Sequence, residues 1–178
     1  MNLHETKLAG VFVVEPVRVE DERGFFARTF SADEFAALGL EPAVAECSIA
    51  YNSVRGTLRG LHFQVAPYQE TKLVRCTRGS VYDVVVDLRP ESPTHLRWQQ
   101  IELSAENRLA VYVPAGCAHG YLTLEAGCEL HYQISERFVP DAAAGIRWND
   151  PLLQIEWPAS PTVVSPRDAA YPDLAAPL

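Results

Sequence analysis

The run Ser80-Val81-Tyr82-Asp83-Val84-Val85-Val86-Asp87-Leu88 is rich in β-branched residues and has the period of a strand. Successive side chains of a strand point to opposite sides. One face therefore carries Tyr82, Val84, Val86 and Leu88, and the other mixes Val81 and Val85 with Asp83 and Asp87. Two carboxylates among valines leave two placements: the face looks into a polar cavity inside a barrel, or it is a half-wet surface. From Val44 onward, apolar runs of strand length recur roughly every 10 to 15 residues, between turn signals such as Arg55-Gly56, Arg78-Gly79, Arg89-Pro90 and Glu106-Asn107. Many short strands with little helix mean an all-β sandwich or barrel. Pro16 interrupts the run from Val11 to Val19, Asp21-Glu22-Arg23-Gly24 is a turn, and Phe25 to Phe30 returns as a strand. Ser31-Ala32-Asp33-Glu34 has the spacing of a capping box and opens a short helix that ends near Gly39. Beyond about Pro140 the chain turns rich in Pro and Ala, and it ends in an irregular segment whose Val163, Val164, Tyr171 and Leu174 are expected to pack on the body.

The chain has 178 residues, the size of one domain with a sizeable core, and no linker or repeat divides it. Its formal charge of −8 and pI near 5.1 argue against general binding to nucleic acid or to an anionic membrane, so any phosphate site must be local. No long apolar span or basic-then-apolar leader is present, and a cytoplasmic protein is expected. Cys47, Cys76, Cys117 and Cys128 form no CxxC pair and read as buried free thiols.

Two spacings carry chemistry. Gly56 precedes His62 by six positions, and Pro114-Ala115-Gly116-Cys117-Ala118-His119 is a PxGxxH string; together they resemble the two short motifs of the cupin superfamily of jelly-roll barrels. Metal-binding cupins place a second histidine where this chain has Gln64, so Glu70 and His119 are poorly completed as a metal set and no metal or other cofactor is expected. A metal-free histidine in a barrel points to proton transfer. For His62, close in sequence to Arg59 and Lys72, that is the preferred reading; for His119 a structural hydrogen bond is preferred. Strict alternation puts Arg59 and His62 on opposite faces, unless Gly60 marks a bulge or Arg59 acts at the rim. Lys72 is a candidate to stabilise an oxyanion, with simple solvation as its alternative. Tyr132, in register with Leu130 and Ile134, reads by itself as core.

Asp21-Glu22-Arg23-Gly24-Phe25-Phe26, Leu58-Arg59-Gly60-Leu61-His62-Phe63-Gln64, Lys72-Leu73-Val74-Arg75, the strand from Asp83 to Arg89, Leu103-Ser104-Ala105-Glu106-Asn107, Pro114 to Gly120 and Ile146-Arg147-Trp148-Asn149-Asp150-Pro151 resemble, in order, the strings of the dTDP-4-dehydrorhamnose 3,5-epimerases. The resemblance runs from about Val11 to Asp168. It implies a metal-free jelly-roll homodimer acting on dTDP-4-dehydro-6-deoxyglucose. It makes His62 the base at C3 and C5, Asp168 the carboxylate that orients it, Tyr132 the acid on the opposite face and Lys72 the cation near the C4 oxygen. Arg59 would hold the nucleotide or its diphosphate, and Arg23 would reach in from the partner subunit. Phe26, Glu46, Asn52, His119 and Asp83 are expected with them to contact substrate. The chain departs from the common pattern at residues 46–52, at Arg28 and at Arg137. An epimerase acting at C3 alone or on another nucleotide, and a non-catalytic sugar-binding cupin, are the competing readings.

Overall fold

The computed structural model describes residues 1–174, and the last four positions of the expected irregular tail, 175–178, lie outside the described residues. In chain order the strands are β1 (Asn2–Glu5), β2 (Phe12–Glu15), β3 (Arg18–Asp21), β4 (Gly24–Ala27), β5 (Glu46–Asn52), β6 (Thr57–Gln64), β7 (Lys72–Arg78), β8 (Ser80–Asp87), β9 (Trp98–Ser104), β10 (Ala110–Val113), β11 (Cys117–Thr123), β12 (Cys128–Ile134), β13 (Ala143–Gly145) and β14 (Val163–Val164). Two short helices, α1 (Ala32–Ala37) and α2 (Pro166–Ala169), accompany them. Both start on a serine: the hydroxyl of Ser31 accepts from the Glu34 N–H, and that of Ser165 from the Asp168 N–H.

One sheet runs β1-β2-β10-β7-β12-β5 and the other β13-β6-β11-β8-β9, with β14 added in parallel to β6. This is the expected all-β, cupin-like jelly roll. The alternation of β8 sorts its residues as the sequence required. Val81 and Val85 enter a core between the sheets with Val74, Leu103, Val111 and Leu130. Val84 and Val86 face away from it, towards Leu61, Ile146, Leu153 and the tryptophans Trp98 and Trp157. The C-terminal segment thus wraps the outer side of the second sheet, while α1 covers the first through Phe35, Leu73 and Tyr112. Asp83 and Asp87 are fully buried, so their face belongs to the interior. Asp87 accepts from Arg89, Ser92 and Thr94. Burial alone would raise its pKa, but those donors hold it well below the usual carboxylate range.

Some expectations need correction. Cys47 is exposed, because it lies on the outward pleat of the edge strand β5; Cys76, Cys117 and Cys128 are buried. The strand expected from Phe25 stops at Ala27, and β1, too short and polar to show a strand period, was missed. Pro16 separates β2 from β3, which turns out of the sandwich as a two-stranded hairpin with β4.

Gly60 creates the feature that matters most for a site. Between β11 and β6 the register runs His119↔His62 and then Tyr121↔Arg59, two steps on one strand against three on the other. That extra residue is a β-bulge. Gly60 has φ +125°, and a Cβ on it would lie 2.6 Å from the Gly120 Cα. Gly24 has a similar φ, +119°, with open space around it. Gly60→Ala should therefore cost about 2 kcal/mol or more, and Gly24→Ala nearer 1 kcal/mol. Urea unfolding of the two variants checks the difference; equal losses would show that crowding against Gly120 contributes nothing.

Candidate active site

The bulge reverses the alternation of β6, so Arg59 and His62 open into one cavity of about 310 Å³ between the sheets. The second sheet supplies Arg59, His62, His119 and Tyr121, and the first supplies Glu46, Ser48, Lys72 and Tyr132. Arg167 and Tyr171 close it from the C-terminal segment.

His62 is the most accessible ionisable ring inside, its side chain 43% exposed. Its Nε2 donates to Asp168 Oδ1 at 2.8 Å, and the Gly60 N–H donates to the other oxygen at 3.2 Å. With its hydrogen on Nε2, the neutral imidazole carries its lone pair on Nδ1. Burial by itself raises the Asp168 pKa; the His62 hydrogen bond and charge, the Gly60 N–H and Ser165 outweigh it and hold the carboxyl below its ordinary value. Asp168 therefore stays ionised through neutral pH and fixes both tautomer and ring orientation. The Tyr171 ring meets His62 edge-on, with centroids 5.9 Å apart.

Lys72 is almost buried, and its Nζ contacts Glu70 Oε1 at 2.9 Å and the His62 carbonyl at 3.2 Å. Its strand position at the start of β7 points it inward with Val74 and Cys76, rather than into solvent. Tyr132 faces it from β12, the next strand of the same sheet, on the inward pleat with Leu130. Burial, with the charges of Tyr121 and Asp83, lifts its phenol well above the ordinary pKa, so it is a neutral, proton-bearing group at pH 7. His119 bonds Asp83 through Nε2 at 2.7 Å, and its ring lies edge-on to Tyr132.

Other residues singled out in the sequence fall elsewhere. Asp83 is sealed behind His119, and Asn52 is buried behind Arg59, whose Nε it receives at 2.9 Å. Glu46 lines the cavity and accepts from the Phe138 N–H. Arg23 and Phe26 lie on the β3–β4 hairpin and do not line the cavity of their own chain; Phe26 is 74% exposed and Arg23 pairs with Asp21. Arg28 pairs with Glu34, and exposed Arg137 leaves its neighbour Phe138 to line the cavity. Gln64, at the cupin metal-ligand position, spends its amide on the Tyr68 and Arg137 carbonyls and the Val139 N–H. Among the described residues no three His, Cys, Asp or Glu side chains converge as a metal set. Sequence reasoning missed Tyr121, Arg167 and Tyr171. Tyr121 could have been found two residues after His119, on the same pleat of β11.

A base oriented by a carboxylate, a cation and a neutral phenol in one cavity form a set for moving a proton next to a carbonyl. Asp168→Ala should lower kcat on the order of 10²-fold with KM changed little, because it misorients the base and spares the binding groups. Steady-state kinetics check this; a variant within a few-fold of the parent would remove Asp168 from the mechanism.

The family model described as dTDP-4-dehydrorhamnose 3,5-epimerase matches residues 5–176. The dTDP-4-dehydrorhamnose 3,5-epimerase of Methanothermobacter thermautotrophicus is 44% identical over 154 residues, 86% of this chain and 82% of the relative. The dTDP-4-dehydrorhamnose 3-epimerase of Streptomyces niveus is 38% identical over 169 residues, 94% of this chain and 81% of the relative. In three dimensions the chain is similar to the Bacillus anthracis dTDP-4-dehydrorhamnose 3,5-epimerase crystallised with TDP and PPi bound, with a TM-score of 0.93, 36% identity and coverage of 97% of this chain and 99% of the other.

Proposed function

The chain belongs to the dTDP-4-dehydrorhamnose 3,5-epimerase family, and we propose that the cavity between its sheets inverts C3 and C5 of dTDP-4-dehydro-6-deoxyglucose through His62 and Tyr132. The protein is an epimerase, and its substrate is a nucleotide sugar. The observation that carries the assignment of roles is the placement of the two proton-handling groups on different sheets, His62 on β6 and Tyr132 on β12. A sugar ring lying between them presents one face to each.

His62 takes the proton α to the C4 ketone, and the electron pair moves into the carbonyl to give an enolate. Lys72 is the cation set to stabilise that oxygen. Tyr132 then delivers a proton to the other face, which inverts the carbon. The ketone is the electron sink, so no redox group enters the balance. Arg59 and Arg167, cations with no carboxylate within ion-pair reach among the described residues, suit the diphosphate.

In D₂O, deuterium should enter at both C3 and C5, with NMR as the readout. Deuterium at C3 alone after many turnovers would assign the protein to the 3-epimerase reaction named for its Streptomyces relative.

We propose in addition that residues 1–178 act as one domain, since the terminal segment supplies Asp168 to a histidine of the sandwich. Four unpaired cysteines suit a cytoplasmic setting. A homodimer is supported by the hairpin, which exposes Val19, Phe25 and Phe26 around Arg23. If Arg23 acts in the partner's cavity, mixing Arg23→Ala and His62→Ala subunits should restore activity that neither has alone, because each mixed dimer rebuilds one complete site. Failure of mixed dimers to recover activity would remove Arg23 from the shared site.

A further inference from the structure

Behind the cavity wall, hydrogen-bond directions are forced one after another. Asn52 is 2% exposed, and its Nδ2 donates to the carbonyls of Ala50 and Cys128, each at 3.3 Å. Both amide hydrogens are thereby spent. On its other side Oδ1 receives the Arg59 Nε–H at 2.9 Å, and a flipped amide would set two donors against each other there. The orientation of Asn52 is fixed, and Oδ1 can only accept. The Tyr121 hydroxyl, on a side chain 1% exposed, donates to that same oxygen at 3.2 Å. A phenol has a single hydrogen, so towards its other neighbour, the hydroxyl of Tyr132, Tyr121 can only accept. Tyr132 is consequently held as a donor, with its proton in place.

That arrangement suits the resting enzyme and not the moment after reaction. When Tyr132 gives its proton to carbon, its O–H bond breaks, a C–H bond forms, the enolate pair returns to the carbonyl and a negative charge appears on the Tyr132 oxygen. A buried phenolate without a donor is costly. Burial already lifts the phenols of Tyr121 and Tyr132 above their ordinary values, so the anion needs help from a neighbour. Only Tyr121 has a hydrogen that rotation of one bond can turn towards it. Asn52 tolerates the loss because Arg59 still donates to its oxygen.

We propose that Tyr121, held by Asn52, is a positioning residue for the inverting proton transfer: it keeps the Tyr132 hydroxyl loaded as a donor and then turns its own O–H onto the Tyr132 anion. Tyr121 loses no proton. Water returns one to Tyr132, and the proton on His62 leaves to water, so each turnover balances. The same Asn52 oxygen is shared with Arg59, which ties the acid to the cation assigned to the diphosphate.

The inference rests on the assignment of Tyr132 as the acid, and the test separates the two. In D₂O with dTDP-4-dehydro-6-deoxyglucose, exchange with retention reports removal and return of the proton by His62 alone, whereas inversion requires Tyr132. Tyr121→Phe removes one oxygen and leaves the Arg59–Asn52 bond intact. It should keep retained exchange within a few-fold of the parent while inversion falls on the order of tenfold or more. Tyr132→Phe should abolish inversion and keep exchange. If Tyr132→Phe inverts normally, the acid is misassigned and both readings fall. If Tyr132→Phe behaves as expected while Tyr121→Phe inverts at the parental rate, or loses exchange and inversion in equal measure, the role of Tyr121 alone is overturned.

Discussion

The contact on which the site depends is between two glycines. Gly60 and Gly120 lie on paired strands, and a Cβ on either would fall within 3.0 Å of the other's Cα. Without that approach β6 could not absorb its extra residue beside β11, and Arg59 would return to the outer pleat. The bulge also frees the Gly60 N–H from ladder pairing and turns it to Asp168. The carboxylate that orients His62 is thus recruited by a backbone defect next to that histidine. Parallel pairing of β14 with Thr57 and Leu58, at the start of β6, brings the tail to where α2 can present Asp168.

The parts of this structure legible in the sequence are those governed by local chemistry. Alternation in β8 placed its valines, Ser31 capped α1 and Pro16 ended β2, each by an effect acting over a few residues. The site residues came from motif resemblance, and local pattern alone would have misled at several of them. Tyr132 looks like core because its strand neighbours are core, and only the cavity beside it distinguishes it from Leu130. Lys72 looks solvated because lysines at strand ends usually are, until Glu70 and the His62 carbonyl are seen around it. Tyr121 and Tyr171 escaped notice for a related reason: their significance lies in residues far along the chain, Asn52 and His62. Partners at such separations leave no periodicity.

The electrostatic arrangement answers a difficulty set by composition. A chain of net charge −8 repels a diphosphate at long range. Inside the cavity wall, however, the acidic groups are largely committed: Asp168 to His62, Asp83 to His119 and Glu70 to Lys72. Arg59 is oriented by neutral groups, the Asn52 oxygen and the Tyr51 carbonyl, which fix its direction without cancelling its charge. A guanidinium held by neutral acceptors beside a partly enclosed cavity attracts an anion more strongly than one paired with a carboxylate. Local polarity, and not the sign of the whole protein, therefore decides what enters.

The sandwich also accounts for why the chemistry is inversion. Facing sheets stand about 10 Å apart, so side chains that reach into a gap of about 310 Å³ from both leave room for one sugar ring with its faces turned to different sheets. A base and an acid borne on adjacent strands of one sheet would reach the same face and exchange the proton with retention. Borne on β6 and β12, they address opposite faces, and a ring turned about its C4 carbonyl can offer either neighbouring carbon to the same pair. Their separation is set by the close-packed layer of Val74, Val85, Leu103 and Leu130 between the sheets, away from any loop. The stereochemical outcome is thereby fixed by the core that holds the sheets apart, and the loops are left to govern which sugar nucleotide is admitted.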